Sequence, residues 1–491
     1  MSTFSRILLI LGGGFLLLIA LLFCGNLFLS WKAQARLDGK LAELKAAGQP
    51  TSLRDLKPAP LSSEQNAAVH LARMGDELKL LDQELAAFDK TKAGKAWDKI
   101  EAEGKLPDAE QLQAMHAIVD FHPTLLAGLH RASACNKYAS LLDFNASPNV
   151  LFSNLSSVTL IRWLAQYVQM SSVVLLAEHK YDEAAQLGIE LLKVARLYGR
   201  EPFLTGQLVS IAVRGIAISV INNVLQRGPI SQEVRKQLEA ELDAEDDIKP
   251  FAETLCQERA ISISMAGQIR GGIPGMLGWP LTNMQSNVLD MYSEAIPVMG
   301  KQWFESSADL NRLRQAHAMQ SGVGAMLNSQ ILAGLAFPSI ERPYAAANRS
   351  LAEVRCLRIL NALMAYAQTN GHDAPGIETL NLAKDAATDP FSGQPLKLKR
   401  LPEGWLIYSV MENNVDDGGK FESTLDYGIG PPGYGYDPKD HEDDEPNSTD
   451  ADASSAADTP VQPADGSAKS ENDETNAGKN MDTEAVGAEK N

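Results

Sequence analysis

Asp389-Pro390-Phe391-Ser392-Gly393-Gln394-Pro395-Leu396 stands in the most patterned stretch of the chain, residues 351–426. A helical run over 351–370 leads into Gly371-His372-Asp373-Ala374-Pro375, where Gly and Pro stop the helix. After 389–396 comes the strand-like Trp405-Leu406-Ile407-Tyr408-Ser409-Val410. The acidic loop Asn413-Asn414-Val415-Asp416-Asp417-Gly418-Gly419 follows, with Asp426 a little further on. Helix, Pro turn, aromatic strand and Gly loop together predict a small α+β module over 345–430. Nothing in this stretch names a reaction.

Upstream, residues 62–340 are rich in Ala and Leu at helical spacing, which predicts a mainly α fold built as a helical hairpin bundle or irregular solenoid. Ser62 with Gln65 fits a capping box for a helix running to about residue 88, and Pro107-Asp108 with Gln111 marks another start. The apolar side of that second helix includes Leu112, Met115, Ile118 and Val119. Further helices are expected over 160–178, 181–198, 208–225 and 231–242. The 208–225 run is apolar enough to suggest a membrane span. Yet Gln207, Ser210, Arg214, Ser219, Asn222 and Asn223 interrupt it, and an Arg at mid-depth costs about 2.5–3.5 kcal/mol. A buried helix of the body is the better reading. Residues 271–280, Gly- and Pro-rich yet apolar, predict a loop that either packs on the helices or covers a cleft. Helix returns over 284–335.

The start of the chain is its most apolar part. Residues 7–29 are long enough at ~1.5 Å per residue to cross a hydrocarbon core of about 30 Å, and longer than the ~7–15 apolar residues of a cleavable signal peptide. We therefore expect an anchor over 1–31, a stalk and Pro-containing linker over 32–61, and a single-pass membrane protein. Lys32, Arg36, Lys40 and Lys45 follow the span and Arg6 precedes it; a strict Lys/Arg count keeps the C-terminal part in the cytoplasm. At the other end, residues 437–491 hold 16 acidic and 4 basic residues and almost no large apolar ones. That composition predicts a disordered acidic tail. It accounts for about −12 of the net charge of −18, so the rest of the chain has little pull towards nucleic acid.

Chemistry-bearing motifs are scarce. Cys24, Cys135, Cys256 and Cys356 form no CxxC pair and read as free thiols. The eight histidines show no metal-ligand spacing, and no nucleophile elbow or phosphate loop occurs. Gly428-Ile429-Gly430-Pro431-Pro432-Gly433 matches a dinucleotide fingerprint only in letters, because prolines replace the helix that would follow. The acidic loop is the candidate site. Asn413, Asp416, Asp417 and Asp426 offer the hard oxygen donors that suit calcium, although the spacing is not that of an EF-hand. The alternative is a polar turn held by its own Asn and Asp side chains.

On the residues quoted above, 351–426 resembles the C-terminal module of type II secretion major pseudopilins. Those proteins carry a long helix, a DPWGxPY-like segment, a tyrosine-containing strand and an Asp/Gly loop. The resemblance implies a helix packed on an antiparallel sheet, calcium at Asp416, Asp417 and Asp426, and an extracytoplasmic C-terminal part beyond an inner membrane. Met1–Leu29 shows neither the prepilin leader nor the Glu of that family's hydrophobic helix. The whole layout is similar to membrane-anchored bacterial envelope proteins with a helical middle and this ending. Residues 179–200 also resemble one helix of a tetratricopeptide-like hairpin, with no second copy near a ~34-residue period. The expected function is a non-enzymatic binding or assembly protein, held in the membrane by residues 7–29, with protein partners on the helical domain and a link to secretion or envelope organisation. The alternative is an envelope hydrolase whose cleft lies near 271–280.

Overall fold

Helix α1 (Thr3–Ala46) runs unbroken through both the expected anchor and the expected stalk. Its 44 residues extend about 66 Å. It ends in a left-handed cap: Gly48 takes φ +70°, Gln49 N–H reaches Leu44 C=O and Gly48 N–H reaches Lys45 C=O. The computed structural model describes residues 3–146, 156–271, 278–317, 331–421 and 425–435. The tail 437–491 and residues 272–277 of the apolar loop lie outside these.

The two halves of α1 meet different surroundings. Leu37 is buried with Ile263 and Leu289, and both Arg36 and Lys40 pair with Asp290. From Phe15 to Leu29 the large apolar side chains stand exposed. This helix is long and apolar enough to cross a membrane. Two others among the described residues also qualify: α7 (Ser156–Ala177) and α9 (Leu204–Arg227). Their most apolar windows are 56% and 50% buried inside the body, whereas that of α1 is 0% buried.

Fourteen α-helices are present among the described residues. The helix expected from Ser62 starts later and breaks once, giving α2 (Ala67–Arg73) and α3 (Gly75–Phe88). Asn66, not Ser62, caps it. The Asn66 side chain accepts from Ala68 N–H and also exchanges two hydrogen bonds with the Ala139 backbone, each 2.9 Å. A buried long-range contact thus decides the cap. Helix α4 spans Lys92–Ala102, and α5 (Ala109–Phe121) begins at the expected Asp108–Gln111 capping box. Helix α6 (Pro123–Ala134) opens on proline, which lacks the N–H that the first turn leaves unused.

Helices α7, α8 (Tyr181–Tyr198) and α9 pack as consecutive hairpins. The α7–α8 turn puts His179 at φ +61°. Gly188 lets α8 approach α9 closely, since a Cβ there would lie 2.6 Å from Ile221 Cγ1. Next come α10 (Gln232–Glu245), capped by Ser231, then α11 (Lys249–Gly271), α12 (Gly278–Met299) and α13 (Trp303–Ala316). Trp279 and Pro280 fall in the first turn of α12 rather than in a loop.

Helix α14 (Ile331–Asn370) is the longest of the body and runs straight through the 340–345 region where a module boundary was expected. Its first half joins the core of Phe251, Tyr292 and Trp303 through Phe337, Ile340, Tyr344 and Leu351. Its second half joins the α7–α9 core through Val354, Leu357, Leu360 and Leu363. On it lies a three-stranded antiparallel sheet in the order β1 (Lys397–Leu401), β2 (Gly404–Ser409), β3 (Tyr427–Ile429). Every residue of β2 is buried.

The polar residues of α9 explain why this apolar helix belongs in the body. Gln226 pairs with both backbone groups of Trp405 at 2.8 and 3.0 Å, and Asn222 donates to Gly430 C=O at 2.9 Å. Arg214 meets Ser350 and Glu245. These groups dock the sheet and α14 onto α9.

Asp389 closes the assembly. Its buried carboxylate accepts from Phe391 N–H (2.9 Å), Ser392 Oγ (2.9 Å), Ser409 Oγ (2.7 Å) and Val410 N–H (3.1 Å). One side chain therefore fixes the 389–396 turn and ties it to the end of β2. Asp389→Ala leaves buried donors unpaired and should destabilise the detergent-solubilised chain by about 3 kcal/mol or more, read by urea denaturation. Asp389→Asn keeps one acceptor oxygen and should lose less.

Candidate functional site

The acidic loop leaves β2 through Met411 and Asn414, both at positive φ, and returns through Gly418 and Gly419, each at φ +84°. Its polar groups turn inward on one another. Asn413 accepts from Val415 N–H and donates to Asp417 Oδ2, both at 2.9 Å. Asp416 Oδ1 accepts from Tyr408 OH (2.9 Å) and Gly418 N–H (3.1 Å), while Oδ2 pairs with Lys397 at 3.4 Å. Burial opposes ionisation of Asp416, yet the Tyr408 hydroxyl, the Gly418 N–H and Lys397 together hold it below the ordinary carboxylate range. Lys399 crosses the face of Tyr408 and donates to Gly418 C=O at 2.6 Å.

Asp426 sits beneath this turn, fully buried. Its Oδ2 accepts from Gly419 N–H at 2.6 Å, and its Oδ1 has no hydrogen-bond partner. Burial pushes its carboxyl up, with Asp416 and Asp417 adding to the rise against the backbone N–H groups of Gly419 and Asp417.

A calcium ion needs several oxygens converging at about 2.3–2.6 Å. Asp426 Oδ1 is a free donor of that kind. Several neighbouring acceptors carry partners: Lys397 pairs with Asp416 Oδ2, Asn413 donates to Asp417 Oδ2 and Lys399 donates to the Gly418 carbonyl. Among the described residues no group of three or more His, Cys, Asp or Glu is arranged to hold a metal. As placed, the described residues form a lysine-clamped turn.

The remaining charged groups pair in structural clamps. Arg355 bonds Asp246, Gln302 and the Thr388 carbonyl, and Arg358 bonds Glu239 and Asp243. His122, buried beneath Phe121, lies between Glu84 (2.9 Å) and Glu77 (3.5 Å). The four cysteines are free, with Cys135 and Cys356 buried. The cleft expected near 271–280 falls partly on residues outside those described.

A second site was not anticipated from sequence. A cavity of about 450 Å³ opens between α2, α3, α7 and the end of α8. Leu71, Leu78, Leu160 and Ile161 form its apolar wall. Tyr138 and Tyr198, edge to face with ring centroids 6.0 Å apart, form its aromatic wall. At the polar end Tyr138 OH donates to Glu201 Oε1 at 2.5 Å, and Ser157 and Tyr198 hydroxyls meet at 3.3 Å. Glu201 is only 2% exposed, and its Oε2 makes no close hydrogen bond among the described residues. Burial pushes the Glu201 carboxyl up, opposed by the hydroxyls of Tyr138 and Ser140. In sequence the only hint was an acidic residue in the turn Gly199-Arg200-Glu201-Pro202 after a helix, which normally points to solvent.

The clamped loop predicts the outcome of metal removal. Thermal midpoints of the purified chain with added calcium and with chelator should coincide. A midpoint raised by calcium would show that the ion displaces the two lysines to reach Asp426, because ligand binding to the native state raises stability.

No protein-family model matches the chain, and no curated protein or solved structure is significantly similar to it.

Proposed function

We propose that this chain is a membrane-held, non-enzymatic binding protein of the bacterial envelope, with its ligand site in the cavity that ends at Glu201. The observation that carries this is the cavity itself: about 450 Å³, walled mainly by apolar side chains, with one buried carboxyl at its end. Small-molecule sites share that construction, with volumes of roughly 300–1,000 Å³ and a few polar groups that orient the ligand. Its polar residues suit binding better than hydrolysis. Ser157 bonds the Tyr198 hydroxyl, and among the described residues neither a histidine nor a carboxylate stands on it as a base.

The membrane attachment rests on α1, whose bare apolar half continues rigidly into the half clamped at Asp290. Such a helix holds the body close to the bilayer in one orientation. The pseudopilin-like ending supports an extracytoplasmic body and a link to secretion or envelope organisation.

Two outcomes test the proposal. Toluene, a neutral aromatic probe, should raise the melting midpoint of the wild-type chain but not of Leu71→Trp, which fills the cavity. Equal behaviour of the two proteins would remove the cavity as a binding site. Protease added to spheroplasts should degrade the body before the membrane is breached; protection until lysis would place the body in the cytoplasm.

A further inference from the structure

We infer that the cavity takes a small organic monocation, an ammonium on an apolar body, with the ammonium seated on Glu201. This rests on the binding role proposed above and names the ligand's chemistry. Three features of the cavity point to it. The first is the unfilled valence of Glu201: Tyr138 donates to Oε1, while Oε2 is buried with no close hydrogen bond among the described residues, the Ser140 hydroxyl being the other donor near the carboxyl. A buried carboxylate oxygen left unpaired is costly, and a ligand N–H⁺ relieves that cost with a charge-assisted bond.

The second is the charge of the lining. Glu201 and the exposed Asp143 both line the cavity, while among the described residues no Lys, Arg or His does. A fatty acid or other organic anion would meet two acidic side chains and no compensating cation. The third is the aromatic wall. The Tyr138 ring is fixed by its own hydroxyl bond to Glu201 and packs edge to face on Tyr198. Tyrosine faces attract cations within about 6 Å, and more strongly where water is excluded. The leucine and isoleucine side chains opposite then cover the apolar part of the ligand.

Burial of Glu201 agrees with this arrangement. Burial pushes its carboxyl up, and a cation beside it favours the charged form.

The test uses the full chain in lipid nanodiscs and three probes of matched shape: phenethylamine, phenethyl alcohol and phenylpropionate. Calorimetry should show the amine binding at least about ten-fold more tightly than the alcohol, and the carboxylate not binding; ten-fold corresponds to one good charged contact. In Glu201→Gln the amine should lose its advantage over the alcohol, while an unchanged thermal midpoint reports that the variant is folded and the same nanodiscs subtract partition into lipid. Equal binding of amine and alcohol to the wild type would overturn the ammonium assignment and leave the cavity as a neutral site. Tightest binding by the carboxylate would also overturn it. No binding by any probe would overturn both this inference and the binding role on which it rests.

Discussion

Helix α14 is the constraint on which the rest of the body depends. It contributes Phe337, Ile340, Tyr344 and Leu351 to one core and Val354, Leu357, Leu360 and Leu363 to the other. The sheet covers its second half, and the charges of α10 grip it through Arg355 and Arg358. Removing its apolar residues would expose both cores at once, with each large side chain worth about 1.5–3 kcal/mol of burial. Pro338 and Pro343 sit within this helix, and tertiary packing outweighs the local cost of a missing hydrogen bond. The described residues before the tail cohere as one compact unit.

The mainly helical fold was legible because most of its signals are local. The Asp108–Gln111 capping box, the 181–198 helix and the Ser231 start all appear where pattern and cap placed them. The departures share one cause, a distant partner. Asn66 replaces Ser62 as the cap because Ala139 holds it. Helix α14 ignores the expected boundary because two cores need it. The polar interruptions of 208–225 count against a membrane span in sequence, but only the structure shows what Gln226 and Asn222 do at the sheet.

The candidate sites divide along the same line. The acidic loop was visible as a cluster of Asn and Asp, yet its chemistry depends on Lys397 and Lys399 of β1, which reach it only through strand pairing. Glu201 was invisible, because its meaning comes from Tyr138, far away in sequence, and from helices that close over it. The patterned ending locks α9 and α14 together through Gln226, Asn222 and the sheet.

Native-state hydrogen exchange of the β2 amides against those of α9 tests the single-body architecture most directly. Because Gln226 and Asn222 bind the sheet to α9, and Asp389 binds the turn to β2, both elements should exchange only through one shared global opening of equal free energy. Exchange of β2 through a smaller opening, with α9 still fully protected, would show that the C-terminal segment is a separate module and would contradict this architecture.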